Sequence, residues 1–186
     1  MGEAARLFRT RGYHGTSMSD IAEVMNLNKG TLYHYFPSKT AILDAIYLEA
    51  LVRLDRNVDA VPDGLPPDEQ LISYVRAIMR TISSAPDFIA VYFQERPWLD
   101  SSLSQAQAES IRKKETEFTD RIAGVLRAGM RKGVFRHVDE RLLSIHLLSM
   151  ISSLYRWRLV EDIGSGDMVA HSIISYLYDG ILVRPR

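Results

Sequence analysis

The sequence contains no cysteine, and this absence excludes several kinds of chemistry at once. Without thiols the chain has no disulfide framework, no thiolate metal site and no cysteine nucleophile. The five histidines lack metal-ligand spacing, so we predict no metal and no cofactor. Phosphate-cradling loops and nucleophile elbows are also missing, and we expect a protein that is not an enzyme.

Long apolar runs are missing too. No stretch reaches the ~18 apolar residues that mark a membrane-spanning helix. The N-terminus enters a predicted helix directly and lacks the apolar core of a signal peptide, so we expect a cytoplasmic protein without a membrane partner. The hydrophobic content of 46% is sufficient for a sizeable core, and disorder is therefore not expected.

Excess charge of either sign is a third absence. The formal net charge is +0, and residues 1–56 contain seven basic and six acidic side chains. A DNA-binding segment of this composition must rely on a few well-placed cations, because it has no broad positive field.

Strict alternation of apolar and polar residues does not occur, and apolar positions recur instead at helical spacing. The sequence therefore predicts an all-α fold with a linker-like break at residues 62–67. We expect two helical domains, in residues 1–46 and residues 47–186. The predicted helices outside the helix-turn-helix are residues 2–11, 39–59, 68–84, 87–95, 104–131, 139–161 and 168–180.

Residues 17–39 have the pattern of a helix-turn-helix. Ser17 and Asp20 approximate a capping box, which predicts that a helix begins at residue 18. Asn28 is a favourable N-cap for a second helix, whose apolar stripe includes Leu32. The remaining side chains of this second helix are left to face outward.

The same region resembles the DNA-binding domain of TetR-family transcriptional regulators. The matching residues are Gly12-Tyr13-His14-Gly15-Thr16-Ser17, Asp20-Ile21-Ala22, Lys29-Gly30-Thr31-Leu32-Tyr33-His34-Tyr35-Phe36 and Ser38-Lys39. The resemblance implies a homodimer that binds operator DNA, with a helix-turn-helix DNA-binding domain in residues 1–46 and a helical ligand-binding and dimerisation domain in residues 47–186. Family members usually carry residues, often basic, ahead of the first helix, whereas here that helix begins almost at Met1. Either such an arm precedes the residues numbered here, or its contacts with the minor groove are missing.

The candidate DNA-contacting residues are Ser17, Lys29, Gly30, Thr31, Tyr33, His34, Tyr35 and Lys39. Gly30 lacks a Cβ, which allows close approach of the backbone to DNA at a cost of about 1 kcal/mol in helix propensity. For Tyr33 and Tyr35, the alternative role is packing within the small domain. For Lys29 and Lys39, the alternative is an ordinary surface lysine exposed to solvent.

An aromatic-rich segment near residue 90 is the candidate effector site, because small-molecule pockets are mostly apolar with few polar groups. The candidate lining residues are Met79, Phe88, Tyr92, Phe93, Trp98, Phe118, Ile122, Met150 and Tyr155. Ordinary core packing is the alternative for each aromatic side chain. Nearby arginines that would pair with an anionic ligand are Arg76, Arg80, Arg127, Arg156 and Arg158.

The run Tyr92-Phe93-Gln94-Glu95, together with Tyr155-Arg156-Trp157, is similar to regulators of fatty-acid and sterol catabolism that sense acyl-CoA thioesters. This resemblance implies an effector with apolar bulk and an anionic head. We predict a largely apolar small molecule, with an acyl-CoA thioester as the first candidate.

The predicted helix at residues 139–161 is apolar on nearly every side, and the final helix shows the same excess. Such helices need a second covering surface, which predicts a four-helix bundle formed by two subunits. The alternative is a fully internal core helix. The candidate interface residues are Leu148, Ile151, Ser152, Ile174, Leu177 and Ile181.

Together these patterns predict a repressor that binds a palindromic operator as a homodimer and is released by a small molecule. Two alternatives remain at this point: a small-molecule-binding helical protein without DNA function, and an α-helical enzyme.

Overall fold

The computed structural model describes residues 1–158 and 166–182, and the side chains of residues 1–153 and 167–182. Within these ranges the regular structure is helical, apart from an isolated bridge between Phe135 and Leu182, so the all-α prediction is confirmed. The helices are α1 (Gly2–Arg11), α2 (Met18–Val24), α3 (Lys29–Tyr35), α4 (Lys39–Asp59), α5 (Pro67–Ser84), α6 (Pro86–Glu95), α7 (Leu99–Ser102), α8 (Gln105–Arg131), α9 (Glu140–Arg158) and α10 (Gly166–Ile181).

The starts of α2, α3 and α4 each carry a capping side chain, and the sequence analysis identified those of α2 and α3. The Ser17 side chain accepts from the Asp20 N–H at 3.2 Å, and the Ser17 N–H donates to the Asp20 carboxylate at 2.7 Å. The Asn28 side chain accepts from the Thr31 N–H at 2.7 Å. The Ser38 hydroxyl accepts from the amide three residues on at 3.1 Å. These bonds satisfy amides that lack partners within the helix.

Two helical segments were not predicted. A 3-10 helix at Arg96–Trp98 and α7 fill the segment where the sequence predicted only a helix end. The proline at residue 97 fits the first turn of a helix as well as its end, which explains the error. Leu99 is 1% exposed and anchors α7 in the core. Residues 159–161 of the predicted helix lie outside the described ranges.

The chain forms two compact units, and each of them is built from two segments that are separate in the sequence. The first unit comprises Met1–Val52 and Ala85–Lys113, and the second comprises Arg53–Ser84 and Lys114–Arg186. The structure thus groups the helix-turn-helix with α6 and α7, which the sequence assigned to the ligand-binding domain.

In the first unit α1 packs against α6, and each short helix buries apolar side chains. Ile21 of α2 and Leu32 of α3 are at most 1% exposed. The other large side chains of this unit that are fully buried include Phe8, Ile42, Leu43, Ile46, Tyr47, Leu99 and Ile111. The apolar stripes read from the sequence therefore meet in one core.

In the second unit α10 packs against α5. Leu71 and Val75 of α5 are fully buried, and Ile173 and Leu177 of α10 are nearly so. The hydroxyl of Tyr178 donates to the carbonyl oxygen of residue 68, and burial raises the pKa of Tyr178. No helix in the described ranges is both long and apolar enough to cross a bilayer.

Candidate DNA-binding site

Helix α3 has one buried side and one exposed side. Leu32 is 1% exposed, whereas Tyr33 and Tyr35 are 48% and 69% exposed. Lys29, Gly30 and His34 are also exposed, while the Thr31 hydroxyl donates to the Asn28 cap at 2.9 Å. The two tyrosines therefore do not serve as core residues of the small domain, and their side chains are available to a partner.

The turn between α2 and α3 depends on one unusual backbone conformation. Asn26 has a φ of 52°, in the left-handed region that asparagine tolerates better than most residues. The amide of Leu27 donates to the carbonyl of Ala22 at 2.9 Å and closes the turn. This local geometry sets the direction in which α3 leaves α2.

Residues 12–16, here called the 12–16 loop, join α1 to α2 with a tight backbone. Gly12 has a φ of 76°, and a Cβ on Gly15 would lie 2.5 Å from the Arg11 carbonyl oxygen. The buried Thr16 hydroxyl donates to the Gly12 carbonyl at 2.8 Å. Both glycines of the motif are therefore required by backbone geometry.

Lys39 is placed differently from either sequence-based expectation. Its ammonium donates to the carbonyls of Tyr13 and Thr16, both at 2.8 Å, and lies 4.4 Å from the centroid of the Tyr13 ring. Two of its three donors are thus used within the chain. Lys39 holds the 12–16 loop rather than standing as a free phosphate-binding cation or a solvated lysine.

Lys29, unlike Lys39, is not bound by groups of the described chain. Arg6 pairs with Glu3 and Arg9 with Asp87, so these cations are already neutralised within the chain. Among the described residues, no hydrogen bond or ion pair is found for the exposed Lys29 ammonium. Lys29 therefore offers its full charge to an external anion.

Ser17 is exposed, but its side chain is occupied by the cap of α2. Hydrogen bonds from the Ser17 side chain, and then from its backbone, hold the pKa of Asp20 below its usual value of 3.8, with a further contribution from Arg11. The Ser17 hydroxyl and N–H both donate to the Asp20 carboxylate, so a phosphate, which only accepts, would have to displace that carboxylate to bind Ser17.

We expect Asp20→Asn to lower stability near neutral pH and to lose this effect in acid. The folded-state pKa is depressed from 3.8, so the contribution of the carboxylate is present above that value and is lost as the pH falls through the lowered pKa. Urea unfolding of both proteins at several pH values measures the difference. A difference in unfolding free energy that stays constant down to about pH 2 would contradict this assignment.

Two contacts near the motif were not predicted. Glu95, at the end of α6, accepts from the Tyr13 N–H at 3.3 Å, and Asp87 pairs with Arg9 at 2.5 Å. These pairs lie 82 and 78 positions apart, so no local pattern in the sequence reports them. They link α6 to the start of the helix-turn-helix.

The predicted effector residues are divided between the two units. Phe88, Tyr92, Phe93 and Trp98 belong to the first unit, and Met79, Phe118, Ile122 and Met150 belong to the second. Trp98 is 58% and Met150 37% exposed, unlike the other members, which are buried or half-buried. The Tyr92 ring contacts those of Tyr47 and Phe93 edge to face, at centroid distances of 5.5 and 5.1 Å. The side chain of Tyr155 lies outside the described residues.

The structure describes the side chains of three of the five arginines proposed to bind an anionic ligand. Arg76 and Arg80 are exposed, and Arg127 pairs with Glu140 at 2.9 Å. The side chains of Arg156 and Arg158 lie outside the described ranges. Arg127 would have to exchange a protein carboxylate for a ligand.

Most predicted interface residues are already covered within the subunit. Ile151, Ile174, Leu177 and Ile181 are at most 9% exposed, and Leu148 and Ser152 are half-buried. They therefore offer little surface to a second copy. Among the described side chains of α9 and α10, the large apolar ones that are exposed are instead Leu142, Ile145, Met150, Met168 and Tyr176.

Comparison with known proteins agrees with the geometry of the site. Residues 1–46 match the family described as bacterial regulatory proteins, tetR family, and residues 64–181 match the tetracyclin repressor-like C-terminal domain. The HTH-type transcriptional repressor KstR2 of Rhodococcus jostii (strain RHA1) is 30% identical over 182 residues, which cover 96% of this chain and 87% of the relative.

Solved structures similar to this chain include a TetR family regulator. The TetR family transcriptional regulator PfmR from Thermus thermophilus is 31% identical with a TM-score of 0.85, over 94% of this chain and 93% of that one. AibR, solved with isovaleryl coenzyme A and operator DNA, is 23% identical with a TM-score of 0.80 over 94% of each chain, a likeness that shows the fold alone. With both its N-terminal and its C-terminal regions matched, the chain belongs to the TetR family of bacterial transcriptional regulators.

Proposed function

We propose that the protein is a cytoplasmic repressor that binds a near-palindromic operator as a homodimer and is released by a small molecule, without catalytic activity. The observation that carries the proposal is the exposed side of α3. It combines the unpaired Lys29 with the exposed Tyr33 and Tyr35, while Leu32 fixes the helix to the core. Such a helix suits insertion into the major groove.

Within this proposal the residues of α3 have distinct roles. Lys29 binds a phosphate, and Gly30 allows the backbone to approach the DNA closely. Thr31, Tyr33 and His34 reach base edges or thymine methyl groups, and Tyr35 adds a phosphate contact. Ser17 contacts a phosphate by exchanging the Asp20 carboxylate for it as the acceptor of its hydroxyl. Lys39 acts mainly by holding the 12–16 loop, since two of its donors are bound to carbonyls.

Binding to DNA from the protein's own promoter tests the proposal. Nuclease footprinting should reveal two half-sites separated by about 34 Å, one helical repeat, as a two-fold dimer requires. Light scattering of the free protein should give twice 21.2 kDa. Absence of any specific footprint would favour a helical ligand-binding protein without DNA function.

Lys29→Met should weaken operator binding and non-specific binding by a similar factor, roughly three- to tenfold, because a phosphate contact carries no sequence information. The slope of log affinity against log salt should fall by about 1. Fluorescence anisotropy at several salt concentrations measures both quantities. Lys132→Met is the matched control, because Lys132 is an exposed lysine that directly follows α8. A change in sequence preference with an unchanged salt slope would contradict the phosphate role.

The homodimer is supported by apolar side chains that the subunit leaves exposed. Leu142 and Ile145, at 50% and 45% exposed, lie three positions apart on α9. Met168 and Tyr176, at 65% and 74%, lie eight positions apart on α10, about two turns. Each pair therefore occupies one side of its helix, and a second copy of the chain would cover both sides.

For the effector we propose an acyl-CoA thioester, bound mainly through the aromatic side chains of α6. The edge-to-face rings of Tyr47, Tyr92 and Phe93 supply an apolar, aromatic surface on α4 and α6. The fold itself is compatible with such a ligand, because AibR holds isovaleryl coenzyme A in the same fold.

Titration of acyl-CoA esters of increasing chain length against the operator complex tests this effector class, with free coenzyme A as the control. An effector should release the DNA, and operator DNA should weaken effector binding by the same factor. Tight binding to the free protein without DNA release would refute the coupling. Failure of every ester to bind would refute the ligand class and leave the DNA-binding proposal standing.

A further inference from the structure

Glu95 is a charged residue in a position that core packing does not explain. It ends α6 and is only 8% exposed, and its carboxylate accepts a hydrogen bond from the Tyr13 N–H at 3.3 Å. Burial of a carboxylate is unfavourable unless hydrogen bonds compensate it, so an apolar residue would serve a purely structural position better.

The Tyr13 main chain is held at both of its polar groups. Glu95 binds its N–H, and the Lys39 ammonium binds its carbonyl oxygen at 2.8 Å. The Tyr13 hydroxyl also lies 3.0 Å from that of Thr40. Contacts from α4 and α6 thus converge on one residue of the 12–16 loop.

This loop needs external restraint because two of its residues are glycines, which have the greatest backbone freedom. Ser17, the first residue after the loop, caps α2, and α3 follows after one short turn. The position of Tyr13 therefore determines where the helix-turn-helix begins. A displacement at the loop would move α2 and α3 together relative to α1.

A second contact shows that α6 is held at both of its ends, by α1 at its start and by the 12–16 loop at its end. Asp87, in the first turn of α6, pairs with Arg9 of α1 at 2.5 Å, and Glu95 is the last residue of α6. Both contacts lie within the first compact unit. Helix α6 is consequently part of the framework on which the DNA-binding motif stands.

We propose that Glu95 is a positioning residue for DNA binding. Together with Lys39 it fixes the Tyr13 main chain, and thereby the orientation in which α3 meets the operator. This inference rests on the proposed operator binding, and it gives α6, which the sequence assigned to the effector domain, a direct role in recognition geometry.

The test compares Glu95→Ala with Glu95→Gln, since glutamine retains an oxygen acceptor of the same reach. Operator affinity, corrected for the folded fraction, should fall at least about fivefold in the alanine variant and stay within about twofold in the glutamine variant. Affinity for non-specific DNA should change less than about twofold in both, because charge rather than orientation governs it. Asp100→Ala is the matched control: it removes an exposed carboxylate of the same unit that pairs with Arg112.

Two results would overturn the proposal. One is a Glu95→Ala protein that is less stable but whose folded fraction binds the operator normally. The other is an equal loss in both Glu95 variants. If Glu95→Ala does not fold, Lys39→Met decides, because it releases the other polar group of Tyr13. The same selective loss of operator affinity is then expected, and unchanged affinity would refute the inference.

Amide hydrogen exchange separates this inference from the proposed function. Exchange in residues 12–16 should rise at least about tenfold in Glu95→Ala and remain near the wild-type rate in Glu95→Gln. Unchanged exchange in Glu95→Ala refutes the positioning role whether or not an operator has been found. A wild-type protein that binds no specific DNA refutes the proposed function instead.

Discussion

Ile145→Arg is expected to convert the proposed dimer into a folded monomer and to reduce operator affinity by about a hundredfold or more. Ile145 is 45% exposed on α9, so the isolated subunit tolerates arginine there. In the two-fold dimer the substitution would place two like charges in an apolar contact, where neither has a partner. A monomer loses the gain from engaging two half-sites at once.

Light scattering should then give 21.2 kDa instead of twice that mass, with the helical circular dichroism retained. Gln105→Arg, an exposed position on α8, controls for the added charge. Ile174→Arg should behave differently from Ile145→Arg. Ile174 is only 9% exposed within its own subunit, so arginine there should lower the melting temperature instead of releasing a stable monomer. A dimeric Ile145→Arg protein would refute the proposed interface.

The difference between these two isoleucines illustrates what the sequence could predict. An apolar helix indicates burial, but the pattern does not say whether the subunit or a second copy covers each side. Positions such as Ile151 are covered by the subunit itself, and the exposed residues lie on neighbouring positions of the same helices. Assigning sides to partners requires the tertiary packing, which helical periodicity does not contain.

The starts of α2 and α3 were predictable because their causes are local. A cap needs a polar side chain and an amide within three residues, as at Ser17 and Asn28, and both lie within the motif. Lys39 shows the limit of local reasoning. A lysine at a helix start suggested a phosphate contact, but its partners are carbonyls 23 and 26 positions away. Glu95 lies farther still from Tyr13, and no pattern in the sequence indicates their contact.

Gly30 provides the second large effect, in which stability and function change in opposite directions. A Cβ at Gly30 would lie 3.4 Å from the Asn28 side-chain oxygen, an ordinary contact, so nothing in the described part of the subunit requires glycine there. Alanine should stabilise α3 by up to about 1 kcal/mol. The glycine must then be explained by a partner outside the subunit, and we attribute it to the close approach of DNA.

We therefore expect Gly30→Ala to raise the melting temperature and to lower operator affinity about tenfold. Gly30→Leu should lower operator affinity about a hundredfold, because a larger side chain at this position separates α3 further from the base edges. Gly124→Ala is the matched control, because Gly124 lies within α8 and a Cβ there meets nothing within 4 Å. It should stabilise the protein without weakening operator binding. A Gly30→Ala protein that is more stable and binds the operator as well as the wild type would show that DNA does not approach α3 at this position.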